Sequence, residues 1–180
     1  MILGHQVKIR EANIDDVNLL CEWWANPLLM QFVGFPNGVQ TNKKRLENTL
    51  AEQSNLKPFQ RKSCRYTVIE KDTEKPIGEL CYHDMDLLNK SCEIGIKICE
   101  LSFQGKGYGY DTLKTFLTYL FDTFDLNRIE LTALFENKRA QGLYRKIGFH
   151  EVGVKRQCWR DEQGGFHDVM VMDILRNEIK

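Results

Sequence analysis

Apolar and polar residues alternate from Val7 to Glu11, the period of a strand with one buried face. Asn13-Ile14-Asp15-Asp16 then offers a capping side chain and early acids, and Val17, Leu20, Cys21 and Trp24 place one apolar face on the helix that follows. Residues 26–38 contain Asn26-Pro27 and Pro36-Asn37-Gly38, both turn signals, yet also Leu28, Leu29, Met30, Phe32, Val33 and Phe35. A loop this apolar is expected to line a pocket. Thr41 is expected to cap a second, largely polar helix reaching about Asn55.

From Cys64 the period becomes two, predicting strands near 64–70, 77–83 and 91–99 in an antiparallel meander, divided by turn-forming stretches at 72–76 and 88–90. Leu113, Phe116, Leu117, Leu120, Phe121 and Phe124 recur at helical spacing and predict a long amphipathic helix from about Gly107 to Phe124. Arg128 to Phe135 follows as a strand, and Asn137 to Lys146 as a helix with Ala140, Leu143, Tyr144 and Ile147 on one side and Gly148 as its terminator. Two strands, about 149–159 and 166–174, close the chain around the hairpin signal Asp161-Glu162-Gln163-Gly164-Gly165. This order predicts one mixed α/β domain.

Composition adds exclusions. The chain has 180 residues, with 25 Lys and Arg against 25 Asp and Glu, so no global field draws it to nucleic acid or to an anionic membrane. Without a long apolar run or a signal-like amino terminus, it is expected to be cytoplasmic. The cysteines, Cys21, Cys64, Cys81, Cys92, Cys99 and Cys158, show no C-x-x-C pair and are expected to be buried free thiols. His5, His83, His150 and His167 lack short ligand spacing, and no metal site is expected.

One segment carries chemistry. Gln104-Gly105-Lys106-Gly107-Tyr108-Gly109 lies between a strand and the long helix, where alternate glycines permit φ > 0 and close backbone approach while the helix start exposes unpaired N–H groups. A phosphate cradle would use those groups, with Lys106 adding charge; a tight strand-to-helix turn would also use the glycines. The spacing fits neither G-x-x-x-x-G-K-S/T nor G-x-G-x-x-G, which disfavours nucleoside triphosphates and dinucleotides.

The segment resembles the Gln/Arg-x-x-Gly-x-Gly/Ala pyrophosphate loop of the GNAT acyl-CoA transferases. Residues Asn137 to Phe149 are similar to that superfamily's N-x-x-A-x-x-L-Y-x-K-x-G-F block, and Asp125 to Glu130 together with the tail from Glu151 to Asp168 resemble its RimJ/RimL-like branch. The resemblance spans residues 7–175. It implies a mostly antiparallel, splayed sheet of about seven strands with about four flanking helices, acetyl-CoA as cofactor, and transfer of its acetyl group to a primary amine by direct attack in a ternary complex. A protein amino terminus, an aminoglycoside, a polyamine or another small amine would be the acceptor. A homodimer is compatible with it, nucleic acid and membrane are not called for, and a CoA-binding module without turnover is the reading of a different class. Retention of Tyr144 and Asn137 favours the enzyme.

Carried over by position, Ile96, Lys97 and Ile98 would offer backbone groups to the pantetheine arm, Gln104, Gly105, Lys106, Gly107, Tyr108 and Gly109 would hold the pyrophosphate, and Asn137 would bond the arm. Tyr144 would reprotonate the thiolate, because a phenol of pKa ~10 is a neutral donor at pH 7; its place on an apolar helix stripe equally suits a core tyrosine. Glu93 is the candidate base, with Glu79 and His83 as rivals and a water chain as another route. Trp24, Phe32 and Phe35, with Trp23, are expected to wall the acceptor site, although each also suits simple packing.

Overall fold

A computed structural model describes residues 1–180. Eight strands form one sheet: β1 (Ile2–Leu3), β2 (Val7–Glu11), β3 (Cys64–Glu70), β4 (Pro76–Asp86), β5 (Ser91–Ile98), β6 (Arg128–Leu134), β7 (His150–Arg160) and β8 (Phe166–Leu175), in the order β1-β2-β3-β4-β5-β6-β8-β7. Five α-helices accompany it: α1 (Val17–Ala25), α2 (Pro27–Met30), α3 (Lys43–Asn55), α4 (Tyr108–Phe124) and α5 (Lys138–Ile147). Compared with the pattern-based expectation, the additions are the two-residue β1 and the single turn α2, both too short to leave a periodic signal. The second helix begins later than expected, because Asn42 and not Thr41 caps it, accepting the Arg45 N–H at 3.0 Å.

All neighbouring strands are antiparallel except β5 and β6. Those two run parallel and pair only at Ser91↔Arg128, Cys92↔Ile129 and Glu93↔Glu130. Past Glu93 the strands part: Ile94 to Ile98 pair with β4 alone, and Leu131 to Leu134 with β8 alone. The sheet therefore opens into a V with Glu93 at its vertex.

Alternation gives the sheet two unlike faces. Tyr66, Val68, Leu80, Tyr82, Ile94, Ile129, Leu131, Met170 and Met172 point to one side and join Leu113, Phe116, Leu117 and Leu120 of α4 in a core of 26 buried residues. At about 1.5–3 kcal/mol per large apolar side chain removed from water, this side carries most of the stabilisation. The other side presents Arg65, Thr67, Glu79, His83, Glu93, Lys97, Glu130 and Asp173, partly roofed by α1 to α3 around a smaller core of 9 buried residues that includes Trp23, Leu29 and Met30.

Two ties fix the periphery. Asp111, in the first turn of α4, accepts the backbone N–H groups of His5, Gln6 and Val7 at 3.0, 2.7 and 3.1 Å and so holds the amino-terminal segment. Trp159 of β7 donates from Nε1 to the Gly34 carbonyl at 3.1 Å and meets the Phe35 ring edge-on at 5.3 Å, pinning the loop after α2 to the β7–β8 hairpin. Gly34 has φ 93°, and any side chain there would collide with the Trp159 indole. The six cysteines are free, but only Cys64, Cys92 and Cys99 are buried; Cys158 lies exposed on β7, an edge strand open on both faces. No helix is long and apolar enough to cross a membrane.

Candidate active site

The loop joining β5 to α4 has the geometry of an anion cradle. Gly105 and Gly107 adopt φ 77° and 91°, and Gly107 caps α4. The first helical hydrogen bond runs from Asp111 N–H to the Gly107 carbonyl at 3.0 Å, which leaves the N–H groups of Tyr108, Gly109 and Tyr110 free at the positive end of the helix. A Cβ at Gly109 would stand 3.3 Å from Leu143, so glycine there lets α4 and α5 close together. Lys106 is exposed beside the loop.

Gln104 braces the cradle. Its Nε2 donates to the Ile98 carbonyl at 2.8 Å and its Oε1 accepts from Arg139 at 2.9 Å. The Ile98 carbonyl is thus engaged; Cys99 N–H bonds the Ile77 carbonyl of β4, and by alternation Lys97 also turns its backbone toward β4, which leaves Ile94 and Ile96 as the rest of the open edge of β5, not Lys97. Arg139 brings a cation to the cradle that motif matching passed over; its only sequence signal was its place at the start of α5, two residues after Asn137. Asn137 caps α5 through Oδ1, which accepts the Ala140 N–H at 3.1 Å, and this leaves its amide NH₂ free to donate.

Across the vertex, register aligns His83, Glu93, Glu130 and Asp173 in one transverse row. Thr132 Oγ1 donates to Glu93 Oε1 at 3.1 Å, and His83 Nε2 lies 3.8 Å from the same oxygen. Arg128 bridges Glu130 and Asp173 at 2.6 and 2.7 Å. Counted with exposed Asp84, the row carries four carboxylates against one guanidinium.

Glu79 is placed differently. It is buried, and its carboxylate meets Lys97 at 2.9 Å, Arg65 at 2.5 Å and the Trp24 indole N–H at 2.7 Å, while Arg65 lies 4.6 Å over the Trp24 ring. Burial pushes its pKa upward, but the Lys97 and Arg65 charges outweigh that and the net direction is down. A carboxylate with three partners is a structural ion pair, so this rival base is engaged elsewhere. The expected aromatic wall also divides: Trp23 enters the smaller core, Trp24 joins the Glu79 cluster, Phe35 packs on Trp159, and Phe32 is half exposed. Successive helical residues such as Trp23 and Trp24 point about 100° apart, which explains the division.

Tyr144 lies in the larger core with its ring 5.8 Å from Phe149, and its hydroxyl makes no hydrogen bond within the chain. Burial pushes its pKa up to about 12, so it stays protonated at neutral pH.

The family described as acetyltransferase (GNAT) domain matches residues 6–150, most of the chain. This protein belongs to the GNAT acetyltransferase family. It is an acetyl-CoA-dependent N-acetyltransferase, transferring an acetyl group to an amine. The GNAT chain is 23% identical over 173 residues to "Uncharacterized N-acetyltransferase p20" of Bacillus licheniformis, covering 96% of this chain and 94% of that one. It is 31% identical over 101 residues to "Putative ribosomal N-acetyltransferase YdaF" of Bacillus subtilis (strain 168), covering 56% and 54%. Its fold matches the crystal structure of spermidine N-acetyltransferase from Vibrio cholerae in complex with CoA and spermine, with a TM-score of 0.84, 24% identity, and 96% and 97% of the two chains covered. The free N–H groups of the cradle and the open edge of β5 are the donors and acceptors that a diphosphate and a pantetheine amide require.

Proposed function

We propose that this GNAT enzyme acetylates a primary amine on a small cationic acceptor, by direct attack, at the vertex of the V. The observation that carries the reading is the place of Glu93: the last residue of β5 paired with β6, on the charged face, one strand from Glu130. Four carboxylates along that face favour a cation, and the similarity to a spermidine acetyltransferase points the same way.

When bound, acetyl-CoA supplies an acyl group activated as its thioester. Gly105 to Gly109, Lys106 and Arg139 would hold its phosphates, while Ile94, Ile96 and the Asn137 amide would orient its arm. Glu93 would take the first proton of the incoming ammonium, a backbone N–H near Ile98 would steady oxygen charge, and Tyr144 would give its hydroxyl proton to the departing sulfur and regain one from the second proton that the nitrogen sheds as the amide forms. A protein amino terminus is the second reading, favoured by the identity with YdaF.

Acetyl-CoA-dependent thiol release across polyamines, aminoglycosides and peptide amino termini tests the acceptor. The highest kcat/KM is expected for a linear polyamine; a peptide preferred over every small amine reverses the order, and CoA binding without release for any amine replaces the enzyme by a binding module. Tyr144→Phe should lower kcat about 10²-fold with acetyl-CoA affinity unchanged. An unaltered kcat removes Tyr144 as the acid.

A further inference from the structure

We propose that His83 is the outlet through which the proton collected by Glu93 reaches solvent, and that Asp84 fixes the ring for this role. The inference rests on Glu93 acting as base and adds the route beyond it. His83 Nδ1 lies 2.8 Å from Asp84 Oδ2. A carboxylate only accepts, so Nδ1 carries the hydrogen, and in the neutral ring Nε2 is the atom open to a proton from Glu93 Oε1, 3.8 Å away. A small side-chain rotation brings that gap to hydrogen-bond length, as catalytic contacts commonly tighten when substrate binds.

The backbone supplies an independent observation. β4 pairs regularly with β5 as far as His83↔Glu93, then resumes at Asp86↔Ser91, so that Asp84 and Met85 oppose Cys92 alone. Asp84, at this bulge, has φ 52°, a left-handed conformation that aspartate enters more readily than most residues with a Cβ. The bulge buries Met85 against the apolar face and sets Asp84 beside the histidine. What this irregular register positions is the Asp84–His83–Glu93 chain.

The proton balance closes without a co-reactant. Acceptor ammonium gives one proton to the Glu93 carboxylate; the resulting carboxyl passes it to His83 Nε2; the imidazolium, paired with Asp84, releases it to water and returns to its starting tautomer. His83 and Asp84 are both exposed, at 40% and 85% of the side chain, whereas Glu93 is largely covered at 26%. The route therefore runs outward. The charged groups facing it are Asp84 on its own strand, Glu93 on β5, Glu130 and Arg128 beyond on β6, Asp173 on β8, and Lys62, whose Nζ donates to the Met85 carbonyl at 3.0 Å.

Thiol release by the full-length wild type and by Glu93→Gln, His83→Ala, His83→Gln and Asp84→Asn is measured in dilute non-imidazole buffer, then with rising imidazole after subtraction of the enzyme-free rate. His83→Ala and His83→Gln should each lose about tenfold in kcat with KM for acetyl-CoA unchanged, and imidazole should restore His83→Ala while leaving wild type unaffected. Asp84→Asn should show a smaller loss. Wild-type kcat in His83→Ala, wild-type behaviour of His83→Gln, or a loss that imidazole does not restore would each overturn the outlet. If Glu93→Gln retains full turnover, the base assignment itself fails; if it is slowed while both His83 variants are not, only the outlet fails.

Discussion

The two faces of this sheet divide the work of the protein. On one side the strands offer Tyr66, Leu80, Ile94, Ile129 and Met172 to α4 and α5, and the apolar contact there holds the cradle helix in place. On the other, Glu79, Lys97, Glu93, Glu130 and Asp173 occupy the same strands one residue out of phase. A single alternation thus builds a rigid support and a charged surface from the same backbone. The apolar side tolerates little change in volume, and the charged side little change in ionisation.

Variants can break this contrast in order of size. Phe116→Ala, at a fully buried ring on the apolar side, should cost about 4 kcal/mol of stability in urea unfolding. A loss below about 1 kcal/mol would mean that the support lies elsewhere. On the charged side, Glu79→Gln strands Lys97 and Arg65 and should cost about 3 kcal/mol at neutral pH. Because folding lowers the Glu79 pKa from 4.5, its contribution is complete above that value and is lost as pH falls through the depressed folded value. The gap between wild type and Glu79→Gln should therefore narrow in acid, and a gap independent of pH would show that shape and not charge is responsible. The smallest effect belongs to the cradle: Gly107→Val places a β-branched side chain at φ 91°, and a rise of about tenfold in Kd for CoA, near 1.4 kcal/mol, is expected by isothermal titration. Unchanged affinity would detach the loop from the coenzyme.

The apolar side was the legible one. The spacing of Leu113 to Phe124 marks α4, and period two marks the meander, because burial on one face imprints a repeat on sequence. The left-handed turn at Gly105 and Gly107 was legible as glycines ahead of a helix. Tertiary pairings were not: Glu79 has the sequence signature of any polar residue on a half-exposed strand, and only the arrival of Lys97, Arg65 and Trp24 makes it an ion pair. Trp159 and Gly34 lie 125 residues apart, so no local pattern could join them. Asp84 went unrecognised as a bulge residue because its conformation follows from register with β5, not from its neighbours in the chain.

Asp111 stands one helical turn from Gly107, where its negative charge would repel a diphosphate seated at the helix mouth. The three amides of residues 5–7 draw that charge away from the opening. For the proposed coenzyme, the turn between the first two strands would thereby act as an electrical shield, and peeling it off would make the mouth less hospitable to anions although every glycine that forms it remained in place.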